Sequence, residues 1–232
     1  MDLSRSQAWY ERARVVLPGG NSRSTIDLKP HPIYVTHGKD SRVFDVDGNP
    51  YVDFNNNYTS LILGHANDEV NAAVAAQVPH GTAFSFGTRE EVEHAELLIS
   101  RVPTFDQIRF MNSGSEAVMN ALKAARAYTG RAKIAKCEGA YHGSYDYAEV
   151  SLSAGPDNWG DNYPKAVPYA KGTPQGVLDD VLVIPYHDTV AARQLLEGAA
   201  DSLAAVLFDP VASRVGMLPP SRDYLDMLAE FC

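Results

Sequence analysis

A strand-length stretch from Gln107 to Met111 leads directly into the turn Asn112-Ser113-Gly114-Ser115, and then into a stretch from Glu116 to about Tyr128 with apolar residues at helical spacing. Ala117, Val118, Ala121, Leu122 and Ala125 mark one face of that stretch. Strand, tight glycine turn and helix in direct succession form a βα unit, and this constrains the fold more than any other feature. A strand followed by a covering helix returns the chain parallel to its start, so more strands must follow. They do, at 133–135, 181–184 and 204–208, with a helix predicted over 189–197. The expected fold is α/β, a mainly parallel sheet flanked by helices.

Upstream, the chain reads differently. Residues 1–60 hold short extended pieces separated by turns, and Val43 to Val46 leads through Asp47-Gly48-Asn49 to Tyr51–Phe54, a hairpin signal built on Asp-Gly. Two helices follow. Asn67 caps the first, ahead of Asp68 and Glu69, with Val70, Ala73, Val74 and Val78 on one face. Thr88 and Glu91 form a capping box for the second, which carries Val92, Ala95, Leu98, Ile99 and Val102. The expected organisation is a β-rich N-terminal segment over 1–60 and an incomplete large α/β domain over 61–232. Ser221 is placed to cap a last helix through Tyr224, Leu225, Leu228 and Phe231, and the sequence stops at its edge.

Composition narrows the function. A net charge of −9 with scattered basic residues repels a phosphate backbone, so nucleic acid is not an expected partner. No apolar run approaches a membrane span, and a cytoplasmic setting is expected. Cys137 and Cys232 are too few for a disulfide framework, and the 7 histidines lack metal-ligand spacing, so no metal is expected.

Three places on the sheet's C-terminal rim carry candidate chemistry, since ligands of such sheets gather there. The Ser113-Gly114-Ser115 turn at a helix N-terminus offers free N–H groups, close backbone approach and a hydroxyl, the features that hold a phosphate, though a plain helix cap has the same composition. Tyr141 and His142 follow the 133–135 strand, where an aromatic ring suits a planar ligand or simply packs. Asp209, before Pro210, is a strand-end carboxylate suited equally to substrate binding and to turn capping.

In their order, Pro18-Gly19-Gly20-Asn21-Ser22-Arg23, Asp45-Val46-Asp47-Gly48-Asn49, Leu61-Ile62-Leu63-Gly64-His65-Ala66, Asn112-Ser113-Gly114-Ser115-Glu116-Ala117 and Tyr141-His142-Gly143 resemble the class-III aminotransferases, glutamate-1-semialdehyde 2,1-aminomutase and its relatives in particular. The resemblance covers nearly the whole chain. It implies the fold-type I large domain, pyridoxal 5'-phosphate as cofactor, and a homodimer acting on a small-molecule amino donor and oxo acceptor. It implies that Ser113, Gly114 and Ser115 hold the cofactor phosphate, that Tyr141 stacks on its ring with His142 beside it, and that Ser22 to Ser24 (Arg23 among them), Tyr58 and Asp209 lie on the substrate side. A gating loop is implied over 151–172. The family's aspartate for the ring nitrogen and its Schiff-base lysine are expected beyond Cys232, since Lys123, Lys133 and Lys136 do not match that lysine's motif. Asp209-Pro210-Val211-Ala212-Ser213-Arg214 departs from the Glu-Pro motif of many relatives. An intermolecular transaminase is therefore the expected activity, with the intramolecular aminomutase and a non-catalytic binding remnant as alternatives.

Overall fold

The computed structural model describes residues 1–26 and 28–232. The chain divides into two compact units, Met1–Leu97 and Leu98–Cys232.

The first unit opens on a helix, Ser4–Val16, that the sequence pattern does not mark. Only Ser6 and Ala13 are buried on it, and its N-cap residue Leu3 has no side-chain acceptor. Asp2 takes the Ser4 amide at 2.9 Å, and the rest of the cap comes from elsewhere. Both Asp47 carboxylate oxygens accept first-turn amides, from Arg5 at 2.8 Å and Ser6 at 2.9 Å. Asp47 sits in the turn of an antiparallel sheet ordered β1-β2-β3, with β1 at Val35–Lys39, β2 at Arg42–Asp45 and β3 at Pro50–Val52. The Asp-Gly turn is where the sequence places it, and Gly48 takes φ +90°.

A carboxylate locks this hairpin. Asp45 is 2 % exposed and accepts from the Asp47 and Asn49 amides, the Asn49 side-chain amide and the Tyr51 hydroxyl, all within 3.0 Å. Burial opposes its ionisation, but these bonds outweigh burial and hold the carboxyl down to about 2. Because the folded value lies below the ordinary 3.8, the stabilisation is complete above 3.8 and is lost as pH falls through 2. Asp45→Asn is expected to lower the thermal midpoint by several degrees at pH 7, with the gap to wild type closing on acidification, as measured by circular dichroism.

In the second unit three parallel strands are ordered β5-β4-β6, with β4 at Lys133–Cys137, β5 at Val181–Ile184 and β6 at Leu203–Leu207. Central β4 is buried from Ile134 to Cys137, and its alternation divides the core. Ile134 packs with Leu122 of the helix Gly114–Thr129 and with Val150, Val177, Val181 and Val183. Ala135 and Cys137 face the other way, toward Ala192 and Leu196 of the helix Thr189–Ala199 and Tyr224, Met227 and Leu228 of the helix Arg222–Phe231. Ser221 caps that last helix, accepting from the Tyr224 amide at 3.2 Å.

Two expectations change. Residues 107–111 pair with neither sheet, because strand character needs a neighbour and the described residues provide none there. The helices Asp68–Gln77 and Arg89–Arg101 form with the expected caps, Asn67 and Thr88, yet neither buries its apolar stripe. Val70, Val74 and Val92 are 45 %, 56 % and 58 % exposed. Among the described residues no helix is long and apolar enough to cross a membrane.

Candidate functional site

The helix Gly114–Thr129 begins two residues earlier than its apolar spacing suggests, because Ser113 is its cap. Ser113 Oγ accepts the Glu116 amide at 3.2 Å, its carbonyl accepts the Ala117 amide at 3.0 Å, and the Glu116 carboxylate folds back onto the Asn112 amide at 2.9 Å. This satisfies the third and fourth N–H groups of the helix and engages the one acid of its first turn. The amides of Gly114 and Ser115 have no intrahelical acceptor and stand at the positive end of a 16-residue helix.

The loop after β4 presses onto that end. The Ser144 amide donates to Ser115 Oγ at 2.9 Å. Gly143, at φ +88°, lies so close that an added Cβ would stand 2.5 Å from Ser115 Oγ and 2.7 Å from Ser115 Cα. Only glycine allows both the backbone angle and the approach. The same loop presents Tyr141, 49 % exposed, at the rim. His142 Nε2 is buried without a partner, and burial, with the Lys136 charge behind it, lowers the imidazole to about 4 against a smaller opposing pull from Asp209. The ring is thus neutral near pH 7. Glu138 Oε1 is also buried without a partner, and burial pushes that carboxyl up.

Asp209 stands just past β6, where Oδ1 accepts the Val211 amide at 3.0 Å and its carbonyl accepts the Tyr186 hydroxyl at 3.0 Å. It caps its own turn and still acts electrostatically on His142. Lys136 is fully buried in β4, its amine donating to the carbonyls of Val150 at 2.7 Å and Cys137 at 3.0 Å, and burial brings it down to about 8. Sequence reasoning gave this lysine no structural task, and a strand lysine carries no local signal for one.

In the first unit, Arg23 and Tyr58 meet. Arg23 Nη1 donates to Asn57 Oδ1 at 2.9 Å, and the guanidinium lies 5.7 Å from the Tyr58 ring centroid. The Tyr58 hydroxyl shares a short hydrogen bond with Thr25 Oγ1. Thr25 and Asn57 were not marked by the sequence, because the contacts span more than 30 positions. Ser22 is exposed nearby in sequence, and the Ser24 side chain lies outside the described residues. Asn56, Asn57, Tyr58 and Thr59 take φ of 50°, 49°, 56° and 66°, a left-handed turn costing L-residues roughly 1–2 kcal/mol each. Strain of this kind collects where a side chain must be aimed.

The chain resembles known proteins in sequence and fold. A solved omega-transaminase from Sphaerobacter thermophilus superposes with a TM-score of 0.93 at 49 % identity, over 98 % of this chain and 52 % of that one. A β-phenylalanine aminotransferase from Variovorax paradoxus matches at a TM-score of 0.84 and 32 % identity, over 98 % of this chain and 48 % of its own. Among curated relatives, glutamate-1-semialdehyde 2,1-aminomutase 2 of Bacillus licheniformis is 38 % identical over 229 residues, 97 % of this chain and 52 % of the relative. The chain spans about half the length of the curated relatives it matches. The sheet and its flanking helices are those of the fold-type I large domain, present here in part. The family model for class-III aminotransferases matches residues 25–232, and the chain belongs to that family.

Proposed function

We propose that this chain forms the cofactor-phosphate cradle of a pyridoxal-phosphate-dependent transaminase, an enzyme moving an amino group between an amino compound and an oxo acid or aldehyde. The observation that carries the reading is the fit of Gly143 onto Ser115 beside the two uncommitted amides of Gly114 and Ser115. A phosphate suits those donors and the helix dipole, and the Ser115 hydroxyl adds a third donor. Ser113 shapes the turn as its cap. Tyr141 offers a half-open ring face for stacking on the pyridine, and neutral His142 holds a buried nitrogen toward the same region without adding charge. When bound, pyridoxal phosphate supplies an electron sink.

Arg23, held by the neutral Asn57, has charge available for a substrate carboxylate, with Ser22 and Tyr58 on the same side of the reaction and Asp209 near His142. Transamination is favoured over the aminomutase by the higher identity to the omega-transaminase, 49 % against 38 %. The uncovered stripe of Val70 and Val74 supports a homodimer. In this reading 1–60 is part of the small domain, 61–232 is an incomplete large domain, and the setting is cytoplasmic. Lys136, whose amine burial softens, is spent on two carbonyls in a strand. The 232-residue chain alone therefore does not turn over.

Absorbance titration with pyridoxal phosphate, then borohydride reduction and peptide mapping, tests this. Saturable binding without one dominant labelled lysine is expected. A single lysine labelled stoichiometrically would overturn the assignment of the missing amine, and the absence of any saturable binding would overturn the cradle.

A further inference from the structure

We propose that Arg214 is a carboxylate anchor at the rim of this site, a role that rests on the transaminase reading. Its mount is rigid. The turn Ser213–Val215 follows the fully buried Ala212, whose carbonyl accepts the Val215 amide at 3.2 Å and the Met217 amide at 3.1 Å. The Val215 side chain occupies the space that a Cβ on Gly139 would need, 2.7 Å from that position, with Gly139 at φ +71°. Gly139 lies two residues before Tyr141. The turn that carries Arg214 is therefore wedged against the segment that presents Tyr141 and His142.

The side chain is exposed, and its charge is not neutralised. Arg214 Nη2 donates at 3.0 Å to Ser153 Oγ, a neutral hydroxyl, and among the described residues no carboxylate lies within ion-pair distance of it. Two other arginines of this unit are ion-paired, whereas Arg126 and Arg131 reach backbone carbonyls. Arg193 reaches Glu230 at 2.8 Å, and Arg222 reaches Asp226 at 2.8 Å. In a chain of net charge −9, Arg214 stands on a fixed turn at the rim with a neutral serine as its hydrogen-bond partner, so its charge stays open to an incoming anion. A guanidinium presents five N–H donors in a planar fork matched to a carboxylate, and a hydroxyl occupies one of them.

Ser153 begins the excursion that Ser151 closes, where Ser151 Oγ donates to the Lys165 carbonyl at 2.6 Å and accepts the Val167 amide at 2.9 Å. A substrate carboxylate seated on Arg214 would share or replace the Ser153 contact, joining this loop to the occupied site. Sequence comparison alone flags Arg214 only as a departure from a motif.

The test uses the full chain and glutarate, a dicarboxylate without the oxo group, titrated by calorimetry with and without saturating pyridoxal phosphate. Glutaramide is the uncharged control. Wild type is expected to bind glutarate and not glutaramide, Arg214→Gln to lose roughly tenfold or more of that affinity, and Arg214→Lys to recover part of it. Pyridoxal phosphate affinity is expected to stay within about twofold of wild type, given that the free-amide cradle lies on another element. Equal glutarate binding by wild type and Arg214→Gln, or no glutarate binding by wild type, would overturn the anchor. A parallel loss of cofactor affinity in Arg214→Gln would also overturn it, by assigning the arginine to phosphate. Failure of wild type to bind pyridoxal phosphate, with the glutarate difference intact, would sink the transaminase reading and leave the anion site standing.

Discussion

Gly143→Ala is expected to abolish saturable pyridoxal phosphate binding and to destabilise the second unit by about 3 kcal/mol or more. The new Cβ meets Ser115 Oγ at 2.5 Å and Ser115 Cα at 2.7 Å, and the latter is backbone that cannot swing aside. The φ of +88° adds a penalty of its own, about 1–2 kcal/mol for a non-glycine residue. Relief requires the loop to lift away from the helix start, which breaks the Ser144 amide bond to Ser115 Oγ and opens the cradle. Gly130→Ala separates the two effects. Gly130 ends the same helix at φ +69° with nothing within 4 Å of its added Cβ. It should cost about 1 kcal/mol and leave cofactor affinity unchanged. Urea unfolding and cofactor titration of both variants provide the comparison, and similar behaviour in the two would count against a close-packed cradle.

Lys136→Ala is the second large effect, about 3 kcal/mol of lost stability. The substitution empties a fully buried side-chain volume, leaves the Val150 carbonyl without the lysine donor and leaves the Cys137 carbonyl to the longer Ala140 amide bond at 3.4 Å. The amine also has a pH signature. Its folded value of about 8 lies below the ordinary 10.5 because burial penalises the charge, with Cys137 and Glu138 opposing in part. Between those values the unfolded chain keeps a proton that the folded chain has released, so this group's contribution to stability rises with pH from about 8 toward 10.5. The full span is worth about 3 kcal/mol. Other groups run the opposite way, since burial raises Cys137 and Tyr224 and both lose stability in alkali. The difference between wild type and Lys136→Met isolates the lysine. That difference should move in favour of wild type from pH 8 to 9.5 in urea titrations, and a flat difference would contradict a softened amine.

What the sequence made legible was local. The caps at Asn67, Thr88 and Ser221, the Asp-Gly hairpin, and the strand-length runs that become the three strands of the second unit all depend on residues a few positions apart. Two of those strands shift by a residue or two at an end. The turn at 113–115 and the 141–143 loop were each ambiguous alone, and only their order pointed to one site. What escaped was long-range. Asp47 caps a helix more than 40 positions away, and the local start signal of Ser4–Val16 is confined to Asp2, whose carboxylate accepts the Ser4 amide at 2.9 Å. Gly143 reads as a loop glycine until Ser115 lies beneath it. Residues 107–111 have strand composition, but strand structure belongs to a pair, and the described residues hold no partner for it. The exposed valines of Asp68–Gln77 follow the same logic, because a helix-period pattern foretells a covered face without naming its cover.

Whether the amides of Gly114 and Ser115 receive the cofactor phosphate, as proposed, is read out by amide-resolved NMR of the ¹⁵N-labelled chain during pyridoxal phosphate titration. Saturable downfield shifts are expected at Gly114 and Ser115, with ring-current shifts at Tyr141, and weaker shifts of the same two amides with inorganic phosphate. Unchanged Gly114 and Ser115 amides at saturating cofactor, with the shifts falling elsewhere, would contradict the proposal.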